Sequence, residues 1–116
     1  MLKKGFRLRK KEDFNRVFRS GKPLFFSEIG CRYLVGTSPV RLGFSLSKKH
    51  LLTAVARNRV RRVLSEAFFE RQSEWPETGD IIFFTTGKLA HIDIGKGRAL
   101  VNHLLESLKK TKKQRV

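Results

Sequence analysis

The chain has 116 residues, which is enough for one domain with a modest hydrophobic core and too few for two. Lysines and arginines number 26 against 10 acidic residues, which gives a formal net charge of +16. Because 40% of the residues are hydrophobic, this charge does not indicate disorder and instead predicts an anionic partner. No apolar run approaches the ~20 residues that a membrane-spanning helix needs, so we favour nucleic acid and expect no membrane partner.

The cellular setting is predicted from two absences in the sequence. The basic amino terminus is followed by no apolar signal-peptide segment. A single cysteine, Cys31, cannot form an internal disulfide. We therefore expect a reduced, cytoplasmic protein.

The amino-terminal part predicts an extended basic arm over residues 1–11 and a short helix over residues 12–19. Phe14, Val17 and Phe18 share one face of that helix, a spacing that is most often typical of core anchors. A strand is predicted over residues 24–36, with a bulge or an additional short strand near Phe25 and Phe26.

A turn at residues 37–39 precedes the clearest strand of the chain, residues 41–47. Leu42, Phe44 and Leu46 point to one side of this strand and predict a buried face. The other side carries Arg41, Gly43, Ser45 and Ser47, and we expect it to be small, polar and available. Lys48 and Lys49 follow at the exit of the strand.

The strongest pattern is a helix over residues 54–72 with Thr53 as its amino-terminal cap. An apolar stripe recurs at three- and four-residue spacing: Ala56, Val60, Val63, Leu64, Ala67 and Phe68. The other side collects Arg57, Asn58, Arg61, Arg62 and Ser65, with Arg59 at its edge. Like charges at this spacing repel each other, so the pattern favours a polyanion against this side over an idle charged surface.

The carboxyl-terminal part predicts a strand over residues 80–86, a helix over residues 94–110 and a basic, flexible tail over residues 109–116. The strand is apolar on both faces, so it is central in a sheet or doubly covered. The helix is expected to bury Ala99, Leu100, His103, Leu104 and Leu108. The two strands that flank the arginine-rich helix form a β-α-β unit and are expected to be parallel. We predict one α+β domain over residues 1–116, a mixed sheet with helices packed on it.

Chemistry that would make this chain a catalyst by itself is not indicated. Apart from Glu12-Asp13, the acids outside residues 66–77 are scattered singly, whereas a two-metal nuclease needs several converging carboxylates. Gly95-Lys96-Gly97 lacks the remaining residues of a phosphate-binding loop. We therefore predict no catalytic residue and no metal ligand in this chain.

Four motifs occur together: Ser47-Lys48-Lys49, the run from Ala56 through Arg62 to Phe68, Arg7-Leu8 followed by Asp13-Phe14 and Val17-Phe18, and Gly79-Asp80 before the late strand. Together they resemble the bacterial ribonuclease P protein subunit. The resemblance covers nearly the whole chain. It implies an αβββαβα order with a four-stranded mixed sheet and a left-handed β-α-β crossover, whereas the general rule favours the right-handed form.

The resemblance also implies a division of labour within the endoribonuclease ribonuclease P. A catalytic RNA would bind Mg²⁺ and hydrolyse the phosphodiester that joins the 5′ leader to precursor tRNA, while the protein supports that RNA and holds the leader. Carried over by position, the residues facing the catalytic RNA would be Lys48, Lys49, Arg57, Asn58, Arg59, Arg61 and Arg62. Phe14 and Phe18 would line a cleft for the single-stranded leader, on which unpaired bases can stack. No obligate protein partner is expected.

Two departures from the family pattern leave alternatives open. His50-Leu51-Leu52 stands where some members have glycine, so the conformation of that loop is not predicted. At the sheet position where some relatives place a leader-contacting aromatic residue, this chain has Arg32, with Tyr33 beside it. Either Arg32 replaces the ring, or a register shift brings Tyr33 into the cleft. Another small RNA-binding module, such as a ribosomal protein, is the alternative function, and an autonomous nuclease is a third.

Overall fold

The structure, a computed structural model, describes residues 6–89 and 92–114, without the side chains of residues 37, 38 and 110–114. Its elements follow the predicted αβββαβα order. They are α1 (Lys11–Ser20), β1 (Lys22–Phe26), β2 (Ile29–Pro39), β3 (Arg41–Ser45), α2 (Ala54–Phe69), β4 (Thr78–Thr85) and α3 (Ile94–Gln114). A single 3₁₀ turn, Gln72–Glu74, lies between α2 and β4.

The four strands form one mixed sheet in the order β1-β2-β4-β3. β2 pairs antiparallel with β1 and β4, while β3 pairs parallel with β4, which confirms the predicted β-α-β unit. The additional strand near Phe25 is also confirmed, as β1. β4 is internal, and this explains why Ile81, Ile82 and Phe83 are all 0% exposed although they alternate between the two faces.

Helices cover the two faces of the sheet unequally. α2 and α3 pack on one face and enclose the larger core, in which Leu64, Phe68 and Phe83 are fully buried. α1 covers part of the other face through a smaller cluster of Leu8, Val17 and Ile82. Val17, expected in the core, is 0% exposed. The arrangement leaves part of one sheet face open beside α1.

Some predicted boundaries and orientations were wrong. The predicted turn at residues 37–39 is part of β2, which runs to Pro39 with a register irregularity after Leu34. β3 ends at Ser45, and α2 ends at Phe69. In α3, Val101 and Leu105 are buried while Ala99 and His103 are exposed. The buried stripe of α3 is therefore rotated by about one residue from the predicted one.

The described part of the predicted basic arm, residues 6–10, is docked on the domain, and Lys11 already belongs to α1. The main-chain N–H of Leu8 donates to the Leu42 carbonyl at 3.0 Å, and Arg7 forms a parallel bridge with Leu42. Phe6 packs edge-on against Phe69 and Trp75, with ring centroids 5.5 and 5.8 Å away. Residues 1–5 lie outside the described residues. The arm is thus held because alternate apolar side chains anchor it.

The predicted boundary of the basic tail also differs from the structure. α3 continues to Gln114, and the Lys109 ammonium lies 2.8 Å from a Glu74 carboxylate oxygen. Residues 115 and 116 lie outside the described residues, and the flexibility of the tail stays a prediction.

Gly79, at the start of β4, is the position where the backbone requires glycine. Its φ is +139°, and an added Cβ would lie 2.5 Å from Cε2 of Tyr33. We predict that Gly79→Ala lowers the free energy of unfolding by about 2–3 kcal/mol, because it combines backbone strain with overpacking. Gly36→Ala in β2 is the matched control, since no atom lies within 4 Å of its added Cβ. Denaturant unfolding of both variants measures the difference, and equal stabilities would contradict the explanation.

Candidate nucleic-acid interface

The rotation of α2 about its axis decides which side chains reach solvent. The Thr53 hydroxyl accepts a hydrogen bond from the Ala56 main-chain N–H at 3.1 Å, as predicted for the cap. The predicted apolar stripe is buried against the sheet and α3, except that Ala56 is only half-buried. The basic side therefore faces outward: Asn58, Arg59 and Arg62 are exposed, and Arg57 and Arg61 are half-buried.

The prediction that Ser65 lies on the outward, polar side of α2 was wrong. It is 6% exposed, whereas the sequence pattern grouped it with the outward arginines. Ser65 lines a cavity together with Leu8 of the docked amino-terminal segment and Leu42 of β3. That docking was not predicted, and it places the amino-terminal segment across the cavity from this helical position.

Six of the ten acidic residues form ion pairs with other described residues, and their partners are cations other than the α2 arginines, Lys48 and Lys49. The ion pairs join Glu28 to Lys96, Glu70 to Arg98, Glu74 to Arg71 and Lys109, Glu106 to Lys109, and Asp13 and Asp80 to Arg16 and Arg41. Hydrogen bonds from Arg71, and then from Lys109, lower the pKa of Glu74 to about 2. Within the described part of the chain, no ion pair involves the α2 arginines, Lys48 or Lys49. Their positive charge is therefore not neutralised by an ion pair among these residues.

Three of the α2 arginines donate to neutral oxygens. Arg57 Nη1 donates to the Leu51 carbonyl at 2.8 Å, and Arg59 Nε donates to the Ile92 carbonyl at 3.1 Å. These bonds tie α2 to the connections that lead into α2 and α3. Arg61 Nη1 donates to Asn58 Oδ1 at 2.9 Å. Since none of these oxygens carries a net charge, the bonds orient the guanidinium groups without neutralising them.

Lys48 and Lys49 extend the same charged region. Both are exposed in the turn after β3, where the Lys49 main-chain N–H donates to Ser47 Oγ at 3.1 Å. Arg57 holds the other end of this connection through Leu51. The predicted RNA-facing residues therefore lie on one continuous stretch, the β3–α2 connection and the first half of α2.

The second candidate surface is an aromatic cleft between α1 and the open sheet face. The Phe18 ring is half-buried, with its centroid 5.8 Å from that of Phe84, and Arg32 Cζ lies 5.9 Å from the Phe18 centroid. Phe25, which is 61% exposed, lies edge-on to Phe84 at 6.0 Å. Sequence reasoning missed Phe25 and Phe84 as candidates. The alternation of Phe25 and Phe26 along β1 was the available signal.

The two alternatives at Arg32 and Tyr33 lie on opposite faces of the sheet. Arg32 is beside Phe18, and its Nη1 donates to the Gly21 carbonyl at 3.3 Å. Tyr33 packs against the larger core, and its hydroxyl donates to the Thr78 carbonyl at 3.1 Å. The structure thus places Arg32, and not Tyr33, at the cleft. Binding of the leader there stays a prediction.

Phe14 has a different environment from Phe18. It is half-buried over β3, where a Cβ on Gly43 would lie 2.8 Å from Phe14 Cζ and 3.1 Å from Leu8 Cβ. The face of β3 that was expected to be available is therefore partly covered at Gly43. Phe14 combines a packing role with a surface that remains open to solvent.

An ion network around the buried Asp80 seats α1 on the sheet and thereby shapes the cleft. Asp80 of β4 is 3% exposed and accepts hydrogen bonds from Arg41 Nε at 2.9 Å, Arg41 Nη2 at 3.0 Å and Arg16 Nη2 at 2.9 Å. Asp13 of α1 lies 3.1 Å from Arg16 and 3.4 Å from Arg41. The hydrogen bond with Asp80 is the main reason that the pKa of Arg41 is raised.

Other candidate chemistry has structural explanations. Burial raises the pKa of the Cys31 thiol to about 12, so it stays protonated at neutral pH. The Gly95-Lys96-Gly97 stretch opens α3, with Asp93 Oδ1 accepting from the Lys96 main-chain N–H at 2.8 Å. Over residues 6–89 and 92–114, no group of three or more histidine, cysteine, aspartate or glutamate side chains is placed to hold a metal ion. In the same residues, no helix is both long and apolar enough to cross a membrane.

The fold and the basic helix define a class: a small α+β protein that presents unpaired cationic side chains on one helix. A family model described as ribonuclease P matches residues 2–109. The ribonuclease P protein component of Caldanaerobacter subterraneus subsp. tengcongensis is 35% identical over 107 residues, which cover 91% of either chain. That of Listeria monocytogenes is 31% identical over 107 residues, covering 90% of this chain and 89% of the relative.

Solved structures agree with these relatives. The RNase P protein from Thermotoga maritima is 27% identical and superposes with a TM-score of 0.75, over 87% of this chain and 96% of that one. The Staphylococcus aureus RNase P protein is 25% identical with a TM-score of 0.77, over 90% of this chain and 95% of that one. The chain belongs to the ribonuclease P protein family. It is thus a component of the endoribonuclease ribonuclease P, with a role in tRNA 5′ processing.

The ion network gives a prediction for Asp80→Asn. Removing the charge of the buried Asp80 leaves the half-buried Arg41 with Asp13 as its remaining partner, so we expect the free energy of unfolding to fall by about 3 kcal/mol. Glu77→Gln, at an exposed position, makes the same chemical change and should alter stability by less than about 0.5 kcal/mol. Denaturant unfolding at neutral pH compares the two variants. A small, equal effect of both would show that the network does not hold α1 on the sheet.

Proposed function

We propose that the exposed basic side of α2, extended by Lys48 and Lys49, binds the catalytic RNA of ribonuclease P. The observation that carries this proposal is the separation of charge. Within the described residues, six carboxylates form ion pairs with other cations, and no ion pair involves the α2 arginines, Lys48 or Lys49. A phosphate backbone supplies the missing negative charge. The alternative, a small RNA-binding module such as a ribosomal protein, would also explain the basic charge but not the match to the ribonuclease P family.

The residue types of this surface suit phosphate recognition. A guanidinium group stays charged at any working pH and offers several donors, some of which remain available when one is engaged. Arg57 and Arg59 each use one donor on a main-chain carbonyl, which fixes the position of the group before RNA arrives. Arg61 and Asn58 are oriented by their mutual hydrogen bond. Such preorganisation reduces the entropy lost on binding.

The aromatic cleft is the proposed site for the 5′ leader of precursor tRNA. The ring centroids of Phe18 and Phe25 lie 5.8 and 6.0 Å from that of Phe84, and Arg32 adds a cation beside Phe18. Single-stranded nucleic acid binds such surfaces because every base has a face that can stack. Phe14 would contribute the side of its ring that is not packed on Gly43.

The hydrolysis itself is assigned to the RNA component, together with most of the Mg²⁺. Asp13 and Asp80 lie close together in space, but arginines hold both carboxylates and would compete with a metal ion. This chain would then hold the leader and support the catalytic RNA, in the cytoplasm where precursor tRNA is processed. Binding energy from the leader, which is remote from the scissile bond, would favour precursor over mature tRNA.

Salt dependence tests the RNA-binding side. Arg62→Ala should weaken assembly with the catalytic RNA and lower the slope of log affinity against log salt by about one unit, since one phosphate contact is lost. Arg98→Ala is the matched control: it removes the same charge, but from a guanidinium that pairs with Glu70 at 2.9 Å. Binding measured across a salt series should show a smaller slope for Arg62→Ala only. Equal slopes for the two variants would mean that the RNA responds to net charge and not to this side.

Leader binding is tested by Phe18→Ala. We expect precursor tRNA to bind the holoenzyme more weakly by about 1–3 kcal/mol per stacked base lost, while mature tRNA binds as before. Thermal melting of the variant and its assembly with the catalytic RNA serve as controls for folding. A similar loss for both tRNAs, together with a lowered melting temperature, would indicate a core role for Phe18 instead.

A further inference from the structure

A cavity of about 550 Å³ opens at the edge of the sheet, beside β3. We call it the edge cavity; Arg7–Arg9 form one wall, and Asn58, Arg61, Arg62 and Ser65 of α2 form the other. We propose that it binds one unstacked nucleotide of the catalytic RNA, with the base inside and its phosphate at the rim. This inference rests on the proposed function of α2 and adds a specific site to it.

The rim of the edge cavity is suited to a phosphate group. Arg7 and Arg9 approach from the amino-terminal segment, and Arg61 and Arg62 approach from α2. Among the described residues, none of these four arginines forms an ion pair. Opposed arginines on two separate elements can contact one phosphate from both sides, whereas arginines on a single helix can contact it from one side only. Docking of the segment through the Leu8–Leu42 hydrogen bond is what creates this opposition.

The interior of the edge cavity is apolar, which a site for phosphate alone would not require. Leu8 and Leu42 are 5% and 2% exposed, and the half-buried rings of Phe14 and Phe44 complete the lining. Its volume lies within the range of about 300–1,000 Å³ that is typical of small-molecule sites. An unpaired base gains from stacking on an aromatic ring in such a space.

Polar groups at the floor could read the edge of a base. β3 is an edge strand of the sheet, and the Leu42 carbonyl points away from β4 and accepts a hydrogen bond from the Leu8 main-chain N–H. Because backbone groups alternate along a strand, the N–H and carbonyl of Phe44 point to the same outer side. Asn58 Oδ1 already accepts from Arg61, so its amide NH₂ is left as a donor. A donor and an acceptor side by side match a nucleobase better than they match a simple anion.

The position of the edge cavity favours the catalytic RNA over the leader as the source of the nucleotide. Asn58, Arg61 and Arg62 belong to the basic side proposed to bind that RNA. The leader cleft runs past Phe18 and Arg32, on the open face of the sheet, whereas the cavity lies beyond β3 at its edge. Phe14 lies between the two sites.

The free protein tests whether the cavity accepts a nucleotide. Titration with the four nucleoside 5′-monophosphates, followed by NMR, should shift the main-chain amide of Phe44 and the ring of Phe14 more than resonances along α3. Ribose 5-phosphate, which has the same phosphate and no base, should produce at most a small fraction of these shifts. Equal shifts from ribose 5-phosphate would overturn the proposal, because charge alone would then explain the binding.

The holoenzyme tests the source of the nucleotide. Ser65→Met, which extends a side chain into the cavity, should weaken assembly with the catalytic RNA about tenfold, near the lower part of the range for one stacked base. Ser73→Met, the same change in the exposed 3₁₀ turn, should leave assembly unchanged. If Ser65→Met lowers the melting temperature, protection of a base by the wild-type protein, compared with and without precursor tRNA, replaces this measurement.

Chemical probing of unpaired bases completes this test. One base of the catalytic RNA should be protected by the wild-type protein and exposed again by Ser65→Met, with or without precursor tRNA. Protection that appears only when a leader is present, or no protected base at all, would overturn the assignment to the catalytic RNA. Failure of the salt-slope test would instead remove the proposed function of α2, so the two failures can be distinguished.

Discussion

Burial of the apolar stripe of α2 is the constraint on which the rest of the structure depends. Leu64 and Phe68 are 0% exposed, and together with Val60 they fix the rotation of the helix against the sheet and α3. Each such side chain contributes about 1.5–3 kcal/mol relative to exposure, far more than the mutual repulsion of exposed arginines. Hydrophobic packing can therefore hold several like charges on one side of a helix, where they are available to a polyanion.

The two faces of the sheet support different parts of the proposed function. α2 and α3 close one face and present the basic side, whereas α1 covers the other only partly and leaves an aromatic cleft. Asp80 links the two arrangements, since it lies in the central strand and holds Arg41 of β3 and Arg16 of α1. The docked amino-terminal segment connects them a second time, because it contacts α2 through Phe6 and β3 through Leu8. The basic side of α2 and the aromatic cleft are thus fixed relative to each other by a small number of long-range contacts.

Local periodicity predicted the elements whose patterns are strong. The spacing of Val60, Leu64 and Phe68 defined α2, and the unbroken apolar run of β4 placed it inside the sheet. The docking of Phe6 was not predictable, because its partners Phe69 and Trp75 lie more than sixty residues away and it stands in a basic run. The choice between Arg32 and Tyr33 depended on the register of β2 against its neighbours, which composition does not define.

The hydrogen bonds of individual arginines could not be predicted from the sequence either. Arg59 and Ile92 are joined by a hydrogen bond between elements far apart in the chain, and nothing near either residue predicts it. Asp80 could be recognised in the sequence only as an acid at the start of a strand, so its ion pairs with Arg41 and Arg16 were not predicted. The left-handed crossover came only from the family resemblance and stays a prediction.

The measurement that tests the account most directly is cleavage of precursor tRNA at low Mg²⁺ concentration, with the protein and the catalytic RNA added separately and together. If this chain binds RNA and leader while the RNA performs hydrolysis, cleavage requires the RNA, and the protein increases its rate. No cleavage is then expected from the protein alone at any Mg²⁺ concentration. Leader removal by the purified protein without RNA, or an RNA reaction that the folded protein does not accelerate, would contradict this division of labour.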